Sequence, residues 1–206
     1  MYAGGIYFIT GQETDTLSFE EMTLRILHAG LRWVQYRDKK RSRREIYEES
    51  IRLIGIANKF DAPLIVNDHP DIALAADAAG VHLGQDDLPL KEARKIMGKS
   101  KIIGVSTHTI EQAGDADRDG ADYIGFGPVF HTTTKDAGRP KGIEMLREVK
   151  RQVRIPVVAI GGITAENIGP VLETGADAVA ISSALLRGDI EENTKRFLEI
   201  IKLHGH

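Results

Sequence analysis

The chain contains no cysteine, which excludes disulfides, thiolate nucleophiles and thiolate metal sites and suits a reducing compartment. It lacks any apolar run near the ~18 residues that a membrane-spanning helix needs, and Met1 to Thr10 carries no basic region ahead of its apolar part. The expectation is a cytoplasmic protein that does not engage a membrane. Excess charge of one sign is missing too. A formal net charge of −3 gives no general attraction for nucleic acid or lipid, so any anion binding must be local. There is no glycine-rich dinucleotide fingerprint and no nucleophile with an obvious base partner. These limits leave small-molecule substrates as the expected partners and are compatible with a homo-oligomer.

What is present is a repeating pattern. Eight short apolar or β-branched runs begin near Ile6, Trp33, Leu64, Gly80, Ile102, Asp122, Val157 and Ala178, and amphipathic stretches separate most of them. Helix starts are marked by Ser18 with Glu21, Ser42 with Glu45 and Thr109 with Gln112, each a hydroxyl cap with a partner three residues on. Alternating strand and helix units imply a parallel sheet, and eight of them imply closure. The expected fold class is α/β, a TIM (β/α)8 barrel of one domain over residues 1–206, with its site at the C-terminal mouth of the strands. A chain of 206 residues is short for that fold, so the helices around Asp71 to Ala76 and Leu90 to Met97 must be brief.

Polar and charged residues follow these runs again and again: Gln35, Arg37 and Lys39; Asn67 and Asp68; Gln85, Asp86 and Asp87; Ser106; Lys135; Gly161 and Gly162; Ser182 and Ser183. Strand C-termini that share a mouth explain this spacing. Asp68 and Asp87, just beyond neighbouring strands, form a pair of hard oxygen donors suited to Mg²⁺; the alternative is that they cap the helices that follow. Arg37 and Lys39 share a face of an extended segment and can grip one anion, whereas Lys40, Arg41, Arg43 and Arg44 are expected to face solvent. Gly161, Gly162, Ser182 and Ser183 suit a monophosphate held by backbone N–H groups. The segment 127–141 is long for an ordered connection, and Thr132 to Lys135 within it suggests a lid or binding loop more than a spacer. His82 reads as a packed strand histidine, while His108 and His131, in mouth loops, suit proton exchange or a solvent-facing role equally well.

Taken together, QYRDK at 35–39, ND at 67–68, GVHLGQDD at 80–87, GVSTHT at 104–109, GPVFHTTTK at 127–135, AIGGIT at 159–164 and the serine pair after ADAVAI at 176–181 resemble the thiamine-phosphate synthase (thiamine-phosphate pyrophosphorylase) family. The resemblance implies a transferase. It would join 4-amino-5-hydroxymethyl-2-methylpyrimidine diphosphate to a thiazole phosphate, releasing pyrophosphate by way of a pyrimidine methylene cation. It also implies roles. Asp68 and Asp87 would hold one Mg²⁺; Arg37, Lys39, Asn67 and Lys135 would bind the diphosphate; Gln35 and Ser106 would contact the pyrimidine. Thr132, Thr134, Gly162, Ser182 and Ser183 would hold the thiazole phosphate, with Tyr36, Asp38 and Thr133 completing the binding segments; Arg37, Lys39, Ser106 and Lys135 would carry catalysis. The chain departs from the family pattern at His131, where proline is usual, at His69-Pro70 and at Ser182. A paralogue, the thiazole tautomerase, carries a histidine at the position of Pro128, and it remains an alternative alongside a non-catalytic phosphometabolite-binding barrel.

Overall fold

The computed structural model describes residues 5–11, 17–132 and 138–205. Eight parallel strands close in sequence order into a barrel: β1 (Ile6–Ile9), β2 (Val34–Tyr36), β3 (Leu64–Asn67), β4 (Gly80–Leu83), β5 (Ile102–Thr107), β6 (Tyr123–Phe126), β7 (Val157–Ile160) and β8 (Ala178–Ile181). Six begin at the residue expected from sequence, and β2 and β6 begin one residue later. The intervening helices are α1 (Phe19–His28), α2 (Arg43–Ala57), α3 (Pro70–Ala75), α4 (Leu90–Met97), α5 (Ile110–Arg118), α6 (Gly142–Gln152), α7 (Ile168–Leu172), α8 (Ser183–Leu186) and α9 (Ile190–Leu203). The third and fourth are as brief as the chain length demanded.

Local chemistry sets the helix starts. Ser18 accepts from the Glu21 N–H at 3.1 Å, and Ser42 forms a full capping box, its hydroxyl accepting from Glu45 N while the Glu45 carboxylate accepts from Ser42 N at 2.8 Å. At α5 the box is only half made. Thr109 accepts from Gln112 N, but the Gln112 side chain accepts from His108 N instead of from Thr109. Asp189, which the sequence pattern did not single out, caps α9 through Glu192 N at 2.9 Å.

Two layers of packing follow from the period-two alternation of a strand. Phe8, Val34, Val66, Val81, Ile103, Ile124, Val157 and Val179 face outward into the sleeve between barrel and helices. Tyr7, Trp33, Ile65, Tyr123, Val158, Ala178 and Ala180 face inward and fill the barrel. The interior is unusually aromatic: Trp33 stacks on Tyr7 with centroids 4.0 Å apart, and Tyr123 meets both edge-on at 5.1 and 5.9 Å. Glycines on the inward faces make room for these rings, since a Cβ on Gly104 would lie 2.1 Å from the Tyr123 ring. At the opposite end of the barrel from the mouth, Asp122 accepts from Ile103 N and Arg94, and Asp177 accepts from Val157 N and Lys150, tying neighbouring strands together.

Gly104→Ala should therefore destabilise the protein by about 1–3 kcal/mol through overpacking against a ring that cannot retreat. Urea unfolding is the check, and an unchanged midpoint would show that the interior layer yields more readily than its geometry indicates.

Candidate active site

One cavity of about 450 Å³ opens at the C-terminal ends of the strands. Alternation decides what reaches it. Gln35, Asn67, His82 and Ser106 each lie an even step along their strand from an inward residue, and all four line the cavity, as do Arg37 and Lys39 just beyond β2. Of the residues expected from sequence, Thr132, Gly162, Ser182 and Ser183 line it too.

Four expected members among the described residues are not in its lining: Asp68 and Asp87, which lie beside Lys39 at its edge, and Tyr36 and Asp38. Tyr36 lies one step out of phase, is 1% exposed and packs its ring against Phe19 of α1 at 5.2 Å, in the outer sleeve. Asp38 has the same parity; its carboxylate accepts from Lys40 N at 2.7 Å and Arg41 N at 3.2 Å, so it shapes the turn that carries Lys39 and does not line the cavity. Thr133, Thr134 and Lys135 lie outside the described residues. Of the remaining basic residues of the cluster, Lys40 and Arg44 are exposed as expected, but Arg41 and Arg43 are more engaged than a solvent role implies. Arg41 bridges Asp38 and the buried Glu49 and lies over the Phe19 ring, while Arg43 pairs with Asp71 and approaches His69 Nδ1 at 3.2 Å.

The anion-gripping segment is held from beneath. Thr10, 1% exposed at the end of β1, accepts from Arg37 N at 2.9 Å and donates to Arg37 O at 3.2 Å, a two-bond clamp on one residue's backbone. The Arg37 side chain makes no ion pair among the described residues, whereas Lys39 pairs with the Asp68 carboxylate. Thr10 was missed in sequence because nothing in its neighbourhood shows that β1 and β2 end together.

Asp68 and Asp87 lie within hydrogen-bonding reach of each other. Burial works to raise both carboxyls. At Asp68 the Lys39 ammonium and the hydrogen bond with Asp87 outweigh it and leave the group below the ordinary range, while at Asp87 the Asp68 carboxylate adds to burial and the group is pushed up. Two carboxylates forced together in this way are a hard oxygen donor set whose repulsion a divalent cation relieves. The backbone holds both acids in place. Asp68 sits at φ +66°, a conformation costly for a non-glycine residue, and is held there by its N–H donating to His82 O at 2.8 Å. Asp87 accepts from Gly84 N at 2.6 Å, which tightens the turn that carries it. Among the described residues no group of three or more histidine or acidic side chains gathers, so further ligands would be water and substrate oxygens.

On the far side of the mouth, Gly161 and Gly162 have φ of +102° and +65°. A Cβ on Gly161 would meet Pro128 at 2.5 Å, and one on Gly162 would meet His131 O at 2.3 Å. Glycine is thus required here for the close passage of the loop after β6, beyond any role toward a phosphate. That loop begins by extending the sheet, with Val129 N and Phe130 N donating to Ile160 O and Gly161 O, and its return is pinned by Lys141 N donating to Pro128 O. The Ser182 hydroxyl is buried beside the cavity with no partner among the described residues, an arrangement that suits an anion acceptor. His108 donates from Nδ1 to Gly127 O at 2.7 Å; His131 and Arg187 also line the cavity.

A cationic pair on one side of the mouth, crowded acids beside it and an open backbone cradle opposite suit a barrel enzyme that handles phosphorylated substrates. Comparison with known proteins narrows that class. The sequence profile described as thiamine monophosphate synthase matches residues 6–185, and the chain belongs to that family. It is 45% identical over 203 residues to the thiamine-phosphate synthase of Halalkalibacterium halodurans, covering 97% of this chain and 96% of the relative. A thiamine phosphate pyrophosphorylase from Pyrococcus furiosus superposes with a TM-score of 0.89 at 37% identity over 97% of this chain and 96% of that one. A geranylgeranylglyceryl phosphate synthase from Thermoplasma acidophilum, 14% identical with a TM-score of 0.70 over 98% and 94% of the two chains, shares the fold alone.

The Thr10 clamp has a measurable consequence. Thr10→Val removes both bonds to Arg37 and should weaken binding of inorganic pyrophosphate about tenfold, the effect of losing about 1–1.5 kcal/mol of hydrogen bonding. Titration calorimetry checks it; unchanged affinity would mean that strand pairing alone holds Arg37.

Proposed function

We propose that this protein is a thiamine-phosphate synthase, joining 4-amino-5-hydroxymethyl-2-methylpyrimidine diphosphate to a thiazole phosphate. The observation that carries the reading is the side-by-side placement of Arg37 and Lys39 with the Asp68–Asp87 pair, in a chain so similar to proteins of that name. In the reaction the C–O bond between the pyrimidine methylene and the diphosphate breaks, the electron pair leaving with pyrophosphate. The thiazole nitrogen then donates its lone pair to the methylene cation, forming the C–N bond of thiamine phosphate. Such chemistry needs fixed charge around the leaving group and a cavity that keeps water from the cation, and no protein nucleophile.

Asp68 and Asp87 would hold Mg²⁺, which when bound supplies positive charge against the leaving diphosphate. Arg37 grips the diphosphate as a fork; Lys39, released from Asp68, and Lys135 add point charges, and Asn67 donates from β3. Gln35 and Ser106 orient the pyrimidine. The thiazole phosphate would be held opposite by Gly162, Ser182, Ser183, Thr132 and Thr134, with its ring nitrogen free to meet the methylene carbon. A cytoplasmic setting belongs to the same proposal. The tautomerase alternative is disfavoured by Pro128, which lines the cavity where that paralogue has a histidine, and by the presence of Gln35, Lys39 and Asp87 in the arrangement described.

Purified protein given both heterocycles should form thiamine phosphate and pyrophosphate in equal amounts, and chelation of divalent cations should abolish turnover. Metal-independent isomerisation of the thiazole phosphate without condensation would move the assignment to the tautomerase. Asp87→Ala and Lys135→Ala should each lower kcat by on the order of 100-fold or more, the scale of removing one charge-stabilising group, while melting temperature stays within a few degrees. Full activity in either variant would contradict its role. His131→Pro should retain activity, since proline is usual at that position in the family; complete loss would show that this histidine takes part in the chemistry.

A further inference from the structure

Two cavity-lining residues assigned above to the pyrimidine, Gln35 and Ser106, are joined through the barrel interior by a continuous chain of hydrogen bonds. Gln35 Nε2 donates to Tyr7 Oη at 2.8 Å, Tyr7 Oη and Tyr123 Oη are 2.9 Å apart, Tyr123 Oη and His82 Nδ1 are 2.9 Å apart, and His82 Nε2 and Ser106 Oγ are 2.9 Å apart. The chain crosses the barrel from β2 through β1, β6 and β4 to β5. Both tyrosines are at most 1% exposed, and His82 is 8% exposed. The interior is shaped for it: Gly104 makes room for the Tyr123 ring, and a Cβ on Gly125 would lie 3.3 Å from the His82 ring.

One end of the chain has a fixed donor. An amide N–H can only donate, so Tyr7 accepts from Gln35, and the arrangement in which each later group accepts one hydrogen bond and donates one has Tyr7 donating to Tyr123. Tyr123 in turn donates to His82 Nδ1. That places the imidazole hydrogen on Nε2, which donates to Ser106 Oγ and leaves the serine hydrogen to point at a ligand. Burial raises both phenol pKa values far above neutrality, so each hydroxyl keeps the hydrogen this scheme requires. At the other end, Gln35 lines the cavity with its Nε2 engaged by Tyr7, and no hydrogen bond to its Oε1 is found among the described residues, which leaves that oxygen as the atom to meet a ligand.

We propose that Tyr7, Tyr123 and His82 act as positioning residues that force Gln35 to present an acceptor and Ser106 to present a donor, and thereby select an amino-substituted over an oxo-substituted pyrimidine. The proposal rests on the function stated above and adds the origin of its selectivity. An exocyclic amino group offers an N–H to Gln35 Oε1 and leaves a ring nitrogen to accept from Ser106. A 4-oxo ring replaces that N–H by lone pairs and sets acceptor against acceptor. A buried mismatch of this kind rejects far more strongly than a difference in shape. Coupling through the chain matters because neither end can turn over alone: rotation of the Gln35 amide would require every hydroxyl and the imidazole tautomer to reverse with it.

Two measurements decide this. The first is the ratio of kcat/KM for the 4-amino and 4-oxo pyrimidine diphosphates in the wild-type protein and in Tyr123→Phe, a comparison in which the intrinsic reactivity of the two substrates cancels. Tyr123→Phe should lower the ratio at least tenfold. An unchanged ratio in a variant of native-like melting behaviour would overturn the proposal, because a merely structural tyrosine would lower both rates together. The second, independent of turnover, is the ¹⁵N–¹H correlation of the His82 ring, expected to show hydrogen on Nε2 and none on Nδ1. Hydrogen on Nδ1, or on both nitrogens, at neutral pH would overturn the proposed direction whether or not Tyr123→Phe folds. If the wild-type protein makes no thiamine phosphate, the assigned function fails, and the tautomer still decides whether the chain has the stated polarity.

Discussion

The alternation of side chains along eight parallel strands closed into a ring underlies every other property of this protein. Closure leaves no strand edge and gives each strand one face toward a shared interior and one toward the helices. Large apolar residues from Phe8 to Val179 secure the outer face, and so the inner face is available for residues that a core would otherwise exclude. Trp33, Tyr7 and Tyr123 fill the lower interior. One layer higher, Gln35, Asn67, His82 and Ser106 project in the same inward sense and become the floor of the cavity. The polar floor and the aromatic layer are thus successive levels of a single stack, which is why a hydrogen-bond chain can run through it.

Above that floor the site is electrostatic, and its two halves are built differently. On the side of β2 to β4, opposite charges and crowded like charges are set close: Lys39 on Asp68, and Asp68 against Asp87. Backbone devices hold these groups in costly positions, including the left-handed conformation of Asp68 and the Thr10 clamp on Arg37. On the side of β7 and β8 there is little side-chain charge, and small residues let the backbone approach. Gly161 and Gly162 serve two masters there, because the same absence of a Cβ that would admit a phosphate also admits the loop after β6. A substitution at either glycine would disturb both.

Much of this was legible from residue order. The strand starts, the brief third and fourth helices, the serine caps of α1 and α2, and the gathering of strand-end polar residues all follow from local periodicity and capping chemistry. Even the exclusion of Tyr36 and Asp38 from the cavity was present in the sequence as a matter of parity: they lie one step out of phase with Gln35, Arg37 and Lys39. Residues in an unbroken motif invite being taken together, but a strand sends neighbours to opposite faces.

The sequence by itself determined the strand and helix units, their order and the chemistry available at each strand end, because these depend on interactions within a few residues. Tertiary structure alone decided which distant groups meet. Tyr7 and Tyr123 are 116 positions apart, and His82 reads locally as a packed core residue; only closure of the barrel brings one hydroxyl against the other and the Tyr123 hydroxyl within reach of the imidazole. The Asp68–Asp87 pair and the Thr10–Arg37 clamp likewise exist only once adjacent strands are in register. Register is a property of the closed sheet as a whole, and no single strand encodes it.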